Sequence, residues 1–136
     1  MQRQDISVKF ITTLDYLELC KKKTDDALEM IKTIRNCSFL ILDDIGTESE
    51  KDWVNDMLYR LINHRDSALL PTIYTSNKEI AKLKLDSRII NRIEGHSIPV
   101  CMPEQSIRQE RAQKSTEKFL MHILLNTQEN IFGLEK

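Results

Sequence analysis

The sequence predicts an α/β fold built on a parallel sheet, and three observations carry that prediction. The run Phe39-Leu40-Ile41-Leu42 is short, apolar throughout, and ends in two adjacent carboxylates, Asp43 and Asp44. Apolar residues without alternation are the pattern of a strand covered by helices on both faces, as parallel strands usually are. A second β-rich run, Pro71-Thr72-Ile73-Tyr74-Thr75, ends in the polar pair Ser76-Asn77. Between the two lies a helical pattern from about Lys51 to Asp66, with Trp53 or Val54, Met57, Leu58, Leu61 and Ile62 on its inner face. Strand, helix and strand with polar tips on one edge make a crossover unit. Ligands of such sheets sit just beyond the carboxyl ends of the strands.

The remaining elements follow in chain order. Ser7–Thr12 alternates and is β-rich, which predicts a strand. Leu14–Lys23 reads as a helix with Leu14, Leu17 and Cys20 inward. Its terminal Lys21-Lys22-Lys23 run suits the carboxyl end of the helix dipole and reads as a solvated terminus rather than a nucleic-acid patch. Thr24 has the character of an N-cap, with Asp25 and Asp26 in the first turn of a helix that continues to about Arg35. Asn77–Leu83 predicts a short helical turn. Asp86–Glu94 predicts a helix stopped by a left-handed Gly95. Ser97–Cys101 reads as a last strand made irregular by Pro99. Pro103 opens a long helix from Glu104 to about Asn126, whose segment Phe119–Leu125 is apolar almost all round. The chain reads as a single domain, with no internal repeat.

Two carboxylates held side by side repel each other unless a positive group lies near, and Mg²⁺ with a nucleotide phosphate is the common solution. The same hexapeptide also suits an ordinary strand running into an acidic turn, Asp43-Asp44-Ile45-Gly46. Downstream, Arg88 and Arg92 lie four apart and share one helix face, while Ile89, Ile90 and Ile93 share another. Taken alone, those arginines read as exposed cations that pair with acids such as Glu94. Ser106-Ile107-Arg108 follows Pro103.

Four phrases, Phe39-Leu40-Ile41-Leu42-Asp43-Asp44-Ile45-Gly46, Tyr74-Thr75-Ser76-Asn77, Ser87-Arg88-Ile89-Ile90-Asn91-Arg92-Ile93 and Ser106-Ile107-Arg108, stand in this order along the chain. Together they resemble the AAA+ domain of bacterial replicative-helicase loaders of the DnaC/DnaI type, and of the related IstB-type transposition helpers. The resemblance covers roughly Ser7 to Arg111. It implies a P-loop NTPase core with Asp43 as the Walker B residue that holds Mg²⁺ through water. Asp44 would orient the attacking water, with a shorter reach than the Glu common there, and Asn77 would serve as sensor 1. Arg88 and Arg92 would face a neighbouring subunit's nucleotide, Arg92 being the better finger, and Arg108 would be sensor 2. The implied cofactors are ATP and Mg²⁺. The implied partners are a replicative helicase, single-stranded DNA and further copies of the chain.

One departure stands against these matches. The three glycines are Gly46, Gly95 and Gly133, and no G-x-x-x-x-G-K-[ST] loop occurs. That loop supplies the backbone N–H cradle and the lysine that hold the β- and γ-phosphates. The expectation is therefore an incomplete AAA+ core that lacks the first strand and the Walker A loop and does not turn over ATP alone. Three functions remain open: a partial ATPase of helicase-loader type, a non-catalytic remnant that binds proteins, and an IstB-type helper.

Composition narrows the field further. Among 136 residues, 40% are hydrophobic and 30% charged, which suits one soluble core, and the net charge of −1 provides no general attraction to nucleic acid. No apolar stretch approaches the roughly 20 residues that span a bilayer. Met1-Gln2-Arg3-Gln4-Asp5 lacks the apolar heart of a signal peptide. Cys20, Cys37 and Cys101 show no C-x-x-C spacing and read as buried reduced thiols, in keeping with a cytoplasmic protein. His64, His96 and His122 are scattered and suggest no metal cluster.

Overall fold

The computed structural model describes residues 5–47, 51–103 and 107–133, with the side chains of the last helix described for residues 109–126. Contacts divide the chain into two compact units, Met1–Pro99 and Val100–Lys136. The first unit runs β1 (Val8–Thr12), α1 (Thr13–Lys21), α2 (Asp25–Asn36), β2 (Phe39–Asp43), α3 (Asp52–Ser67), β3 (Thr72–Tyr74), a 3₁₀ turn (Ile80–Lys82) and α4 (Ser87–His96). The second contains α5 (Ile107–Gly133).

The three strands form a parallel sheet in the order β1-β2-β3, with Ile11 opposite Leu42 and Ile41 opposite Ile73. The predicted β2-α3-β3 unit is therefore present. Leu40 and Leu42 are fully buried beneath the helices, in one cluster with Tyr16, Leu17, Ile34, Leu58, Leu61, Ile62 and Ile89. The opposite face departs from the expected double cover, because Val8, Phe10 and Ile73 are exposed there. Tyr16, Leu17, Ile34, Val54, Leu58, Leu61, Ile62, Ile89 and Ile93 of α1 to α4 all join the cluster around Leu40 and Leu42, and Val8, Phe10 and Ile73 are left outside it.

Helix ends follow local chemistry. The Thr12 side chain accepts a hydrogen bond from the Asp15 amide, so α1 starts one residue before the expected Leu14. That start turns Thr13, Tyr16 and Leu17 inward with Cys20 half-buried, and leaves Leu14 outside, against the sequence reading. Thr24 caps α2 as predicted, accepting from the Ala27 amide. Lys21, Lys22 and Lys23 are solvated. In α3, Val54, Leu58, Leu61 and Ile62 are buried, with Trp53 and Met57 packed partly against them.

Three further expectations fail. α4 runs through Gly95 to His96 with no left-handed stop, because the His96 ring is tied to Asp66 at 2.7 Å and holds the last turn closed. Ser97–Cys101 is not a strand: Ile98 is 90% exposed and Val100 75%. A strand needs a paired neighbour, and the described sheet ends at β3. Cys101 is exposed rather than buried, while Cys37 is buried and Cys20 half-buried. The long helix is present over Ile107–Gly133, and its predicted start at Glu104 lies outside the described residues. Phe119, Leu120, Met121, Ile123, Leu124 and Leu125 are all exposed on it. Among the described residues no helix is long and apolar enough to cross a membrane.

Beneath the sheet, Arg65 is 1% exposed and reaches from α3 to the end of α2 and the start of β3. It ties the carboxyl end of α2 to the residues that open β3.

Candidate functional site at the carboxyl edge of the sheet

Parallel strands place their carboxyl ends on one edge, and here that edge collects Asp43, Asp44, Thr75, Ser76 and Asn77. β2 stops at Asp43 because Asp44 takes a left-handed backbone, φ 61°, which no strand can continue. Such a conformation is uncommon for a residue with a Cβ, and Asp tolerates it better than most. The turn is closed by Gly46 at φ 92°, where a Cβ would run into the Leu83 side chain.

One hydroxyl organises the acids. Thr75 Oγ1 donates to Asp43 Oδ1 at 2.6 Å and accepts from the Asp44 amide at 2.9 Å. The backbone seals the same junction: the Ile45 amide donates to the Thr75 carbonyl at 2.8 Å, and the Thr75 amide to the Leu42 carbonyl at 3.2 Å. Buried Thr13, from the start of α1, donates its hydroxyl to the Asp43 carbonyl at 3.0 Å. The Asn77 carboxamide lies 3.4 Å from Asp44 Oδ1. Ser76 Oγ donates to the Ile45 carbonyl at 2.7 Å, and Lys78 Nζ reaches the Gly46 carbonyl at 3.2 Å. Asp43, Asp44 and Asn77 are thus brought together. Sequence reasoning passed over Thr75 and Thr13, although Thr75 stands two residues before the predicted Asn77. The missing signal was register: only the β2–β3 pairing tells which polar residue of the second tip faces Asp43.

Arg88 and Arg92 are held elsewhere. Arg88 grips Asp86 with Nε and Nη2, both at 3.0 Å, and stacks 4.7 Å above the Tyr59 ring. Those bonds hold the Asp86 carboxyl below the usual carboxylate range and raise Arg88 in turn. Arg92 Nη1 donates to Asp66 Oδ2 at 2.6 Å, and the guanidinium lies 5.9 Å from Tyr59. Asp66 sits in the last turn of α3, just before the amino end of β3, so Arg92 is bound at the end of the sheet opposite Asp43. Pairing with acids does occur, but the acids are Asp86 and Asp66 rather than Glu94. Arg108 lies on the α5 backbone, and its side chain is outside the described residues.

The donor set tests what the edge can hold. Asp43 and Asp44 supply hard carboxylate oxygens, and Mg²⁺ binds protein through one or two such groups while keeping its water. Among the described residues no group of three or more His, Cys, Asp and Glu converges. The residues fit a hydrated Mg²⁺. A triphosphate is held by a row of backbone N–H donors of the kind a glycine-rich loop supplies, and these 136 residues contain no G-x-x-x-x-G-K-[ST] pattern.

No family model matches the chain. Over 61 residues, 44% of this chain, it is 41% identical to the replicative helicase loader DnaI of Bacillus subtilis (strain 168), and the match spans 19% of that protein. Among solved structures it superposes on the DnaC helicase loader with a TM-score of 0.57 and 25% identity, covering 68% of this chain and 58% of the other. It superposes on domain III of the Thermotoga maritima replication initiation protein DnaA with a TM-score of 0.61 and 21% identity, covering 88% and 50%. A replication initiator DnaA bound to AMPPCP and single-stranded DNA gives a TM-score of 0.60 at 19% identity, covering 83% and 36%. The chain therefore spans less than two thirds of each of these proteins, and the two DnaA matches speak for the fold alone.

Proposed function

We propose that this chain, related in sequence and fold to the DnaC/DnaI-type AAA+ helicase loaders, supplies the metal-side half of a nucleotide site used in DNA replication. The observation that carries the reading is the Asp43–Thr75–Asp44–Asn77 constellation at the carboxyl edge of a parallel sheet. In this reading Asp43 holds Mg²⁺ through water, and Asp44 with Asn77 orients a water molecule. A bound Mg²⁺ there would neutralise phosphate charge. Without a phosphate cradle the chain does not hydrolyse ATP by itself. In the same reading Arg92, with Arg88, has the arginine-finger role toward a neighbouring copy, Arg108 has the sensor 2 role, and the setting is cytoplasmic. A replicative helicase and single-stranded DNA are the partners that fit this class.

The test uses Mn²⁺ as a paramagnetic stand-in for Mg²⁺. Selective broadening of the amide signals of Asp44, Ile45, Ser76 and Asn77, lost in Asp43→Asn, is the expected result. Broadening spread over other acidic surfaces would sink the metal assignment. Calorimetry with ATP and Mg²⁺ should detect no micromolar binding, and micromolar affinity would overturn the missing-cradle argument.

A second reading, a protein-interaction module without catalysis, is favoured by one specific observation. β3 pairs with β2 on one side and ends the described sheet on the other, while Val8, Phe10 and Ile73 stand exposed on one face of that sheet. Alternate residues of a strand aim their backbone groups at opposite edges, so Thr72 and Tyr74 present theirs outward. Open edges and apolar faces recruit partners, and a second copy of the chain is the partner proposed. Light scattering is expected to find an oligomer at tens of micromolar, and a stable monomer would count against it.

A further inference from the structure

The carboxyl-terminal halves of α2 and α3 border an open groove of about 480 Å³. Arg35 lines it from the end of α2, and Tyr59, Arg60, Asn63, His64 and Ser67 line it from α3. Residues 60, 63, 64 and 67 are spaced at i, i+3, i+4 and i+7, which places them on one helix face. The lining holds two guanidinium groups and an imidazole, and no carboxylate.

The two guanidinium groups differ from the other arginines of this unit. Every other described arginine of the first unit has an acceptor: Arg65 has backbone carbonyls, Arg88 has Asp86, and Arg92 has Asp66. Arg35 and Arg60 have no carboxylate partner among the described residues. Nε of Arg35 is buried without any acceptor, and an unsatisfied buried donor in a native structure calls for a missing partner. His64 Nε2 lies 2.8 Å from Asn36 Oδ1, which fixes the ring beside the groove.

We propose that this groove binds a phosphate group, clamped between Arg35 and Arg60, with Asn63 and Ser67 as further donors. Planar guanidinium forks match phosphate oxygens in geometry and charge, and such charge-assisted hydrogen bonds are the strong ones. The ligand chemistry is shared by free phosphate and by the phosphodiester of a nucleic-acid strand. The groove lies where α2 and α3 lead into the amino ends of β2 and β3, away from the Asp43–Asn77 edge. The inference therefore stands or falls independently of the nucleotide site.

Amide chemical shifts of the whole chain, titrated with inorganic phosphate and separately with a single-stranded oligonucleotide against chloride at equal ionic strength, test it. Saturable shifts confined to Arg35, Asn36 and residues 60–68 are expected. Arg60 is exposed, so Arg60→Gln should fold, and it should weaken binding about tenfold, the loss expected for one charge-assisted contact. For the oligonucleotide, the slope of log K against log salt should also become shallower by about 0.7 in Arg60→Gln. Saturation by phosphate supports free phosphate as sufficient; saturation by the oligonucleotide alone, with that slope change, supports the phosphodiester. Lys32→Gln removes the same charge from α2 outside the groove lining, where Lys32 pairs with Glu29, and should leave binding intact. Absence of saturable shifts with both ligands overturns the proposal, as does an equal loss in Lys32→Gln and Arg60→Gln.

Discussion

Replacing Arg65 by Met should be the most damaging single change in the first unit. The guanidinium is 1% exposed and carries no carboxylate partner. Its charge is met by backbone carbonyls instead. Nη1 donates to the carbonyls of Ile34, Arg35 and Cys37 at 3.2, 3.1 and 2.9 Å, Nη2 to that of Pro71 at 2.8 Å, and Nε to Thr72 Oγ1 at 2.9 Å. Two of those carbonyls belong to the last turn of α2, where helix carbonyls lack intrahelical donors and the dipole is negative. Met keeps most of the stem, so little packing is lost. The Pro71 carbonyl also keeps its bond from the Leu40 amide. The carbonyls of Ile34, Arg35 and Cys37 then lose their strong donor, and that of Ile34 keeps the weak Cys37 thiol at 3.2 Å. At about 1 kcal/mol or more for each of the other two buried acceptors, and less for Ile34, the loss comes to roughly 2–3 kcal/mol. That is a large share of the roughly 5–15 kcal/mol that holds a domain together. Urea unfolding followed by the fluorescence of Trp53, the sole tryptophan, reads the effect. With a slope of about 1–2 kcal/mol per molar urea, the midpoint should fall by roughly 2 M. Arg65→Lys should recover only part of it, since one ammonium cannot span both strand ends. An unfolding free energy for Arg65→Met within about 0.5 kcal/mol of the parent would refute the reasoning.

Three other outcomes follow from the same geometry. Gly46→Ala should cost about 2 kcal/mol in the same unfolding assay, because φ 92° and the approach of Leu83 both exclude a Cβ; an unchanged midpoint would contradict this. Thr75→Val keeps the shape but leaves the Asp44 amide and Asp43 Oδ1 without their shared hydroxyl, so a loss of about 1–2 kcal/mol and weaker Mn²⁺ broadening are expected. Undiminished broadening in that variant would show that the hydroxyl does not position Asp43. Asp86 is depressed by its bonds to Arg88, so its share of stability is present above the ordinary Asp value and is lost as pH falls through the lower folded value. Carbon NMR of the Asp86 carboxyl should titrate below an ordinary Asp and return upward in Arg88→Gln, while identical curves would remove the Arg88 bond as the cause.

Much of the architecture was legible in the residues because local rules decided it. Phe39–Asp43 reads as a parallel strand from composition alone, although only one of its faces is buried, and its polar tip marks the ligand edge whatever the ligand. Thr24 as a cap, the inner face of α3 and the pairing of Asp43 with Asn77 on one edge likewise follow from spacing and chain direction. Contacts between distant segments decided the rest. Thr75 became the link between the acids through the β2–β3 register. Arg65, which looks like an ordinary charged residue at the end of a helix, became the buried tie beneath the sheet through the convergence of α2, α3 and β3. Arg92 found Asp66 across two helices, and His96 closed the turn that Gly95 was expected to break. Ser97–Cys101 had the composition of a strand and no neighbour to pair with. A hydrogen bond between remote residues depends on where both ends arrive, and that is set by the packed chain as a whole rather than by any window of its sequence.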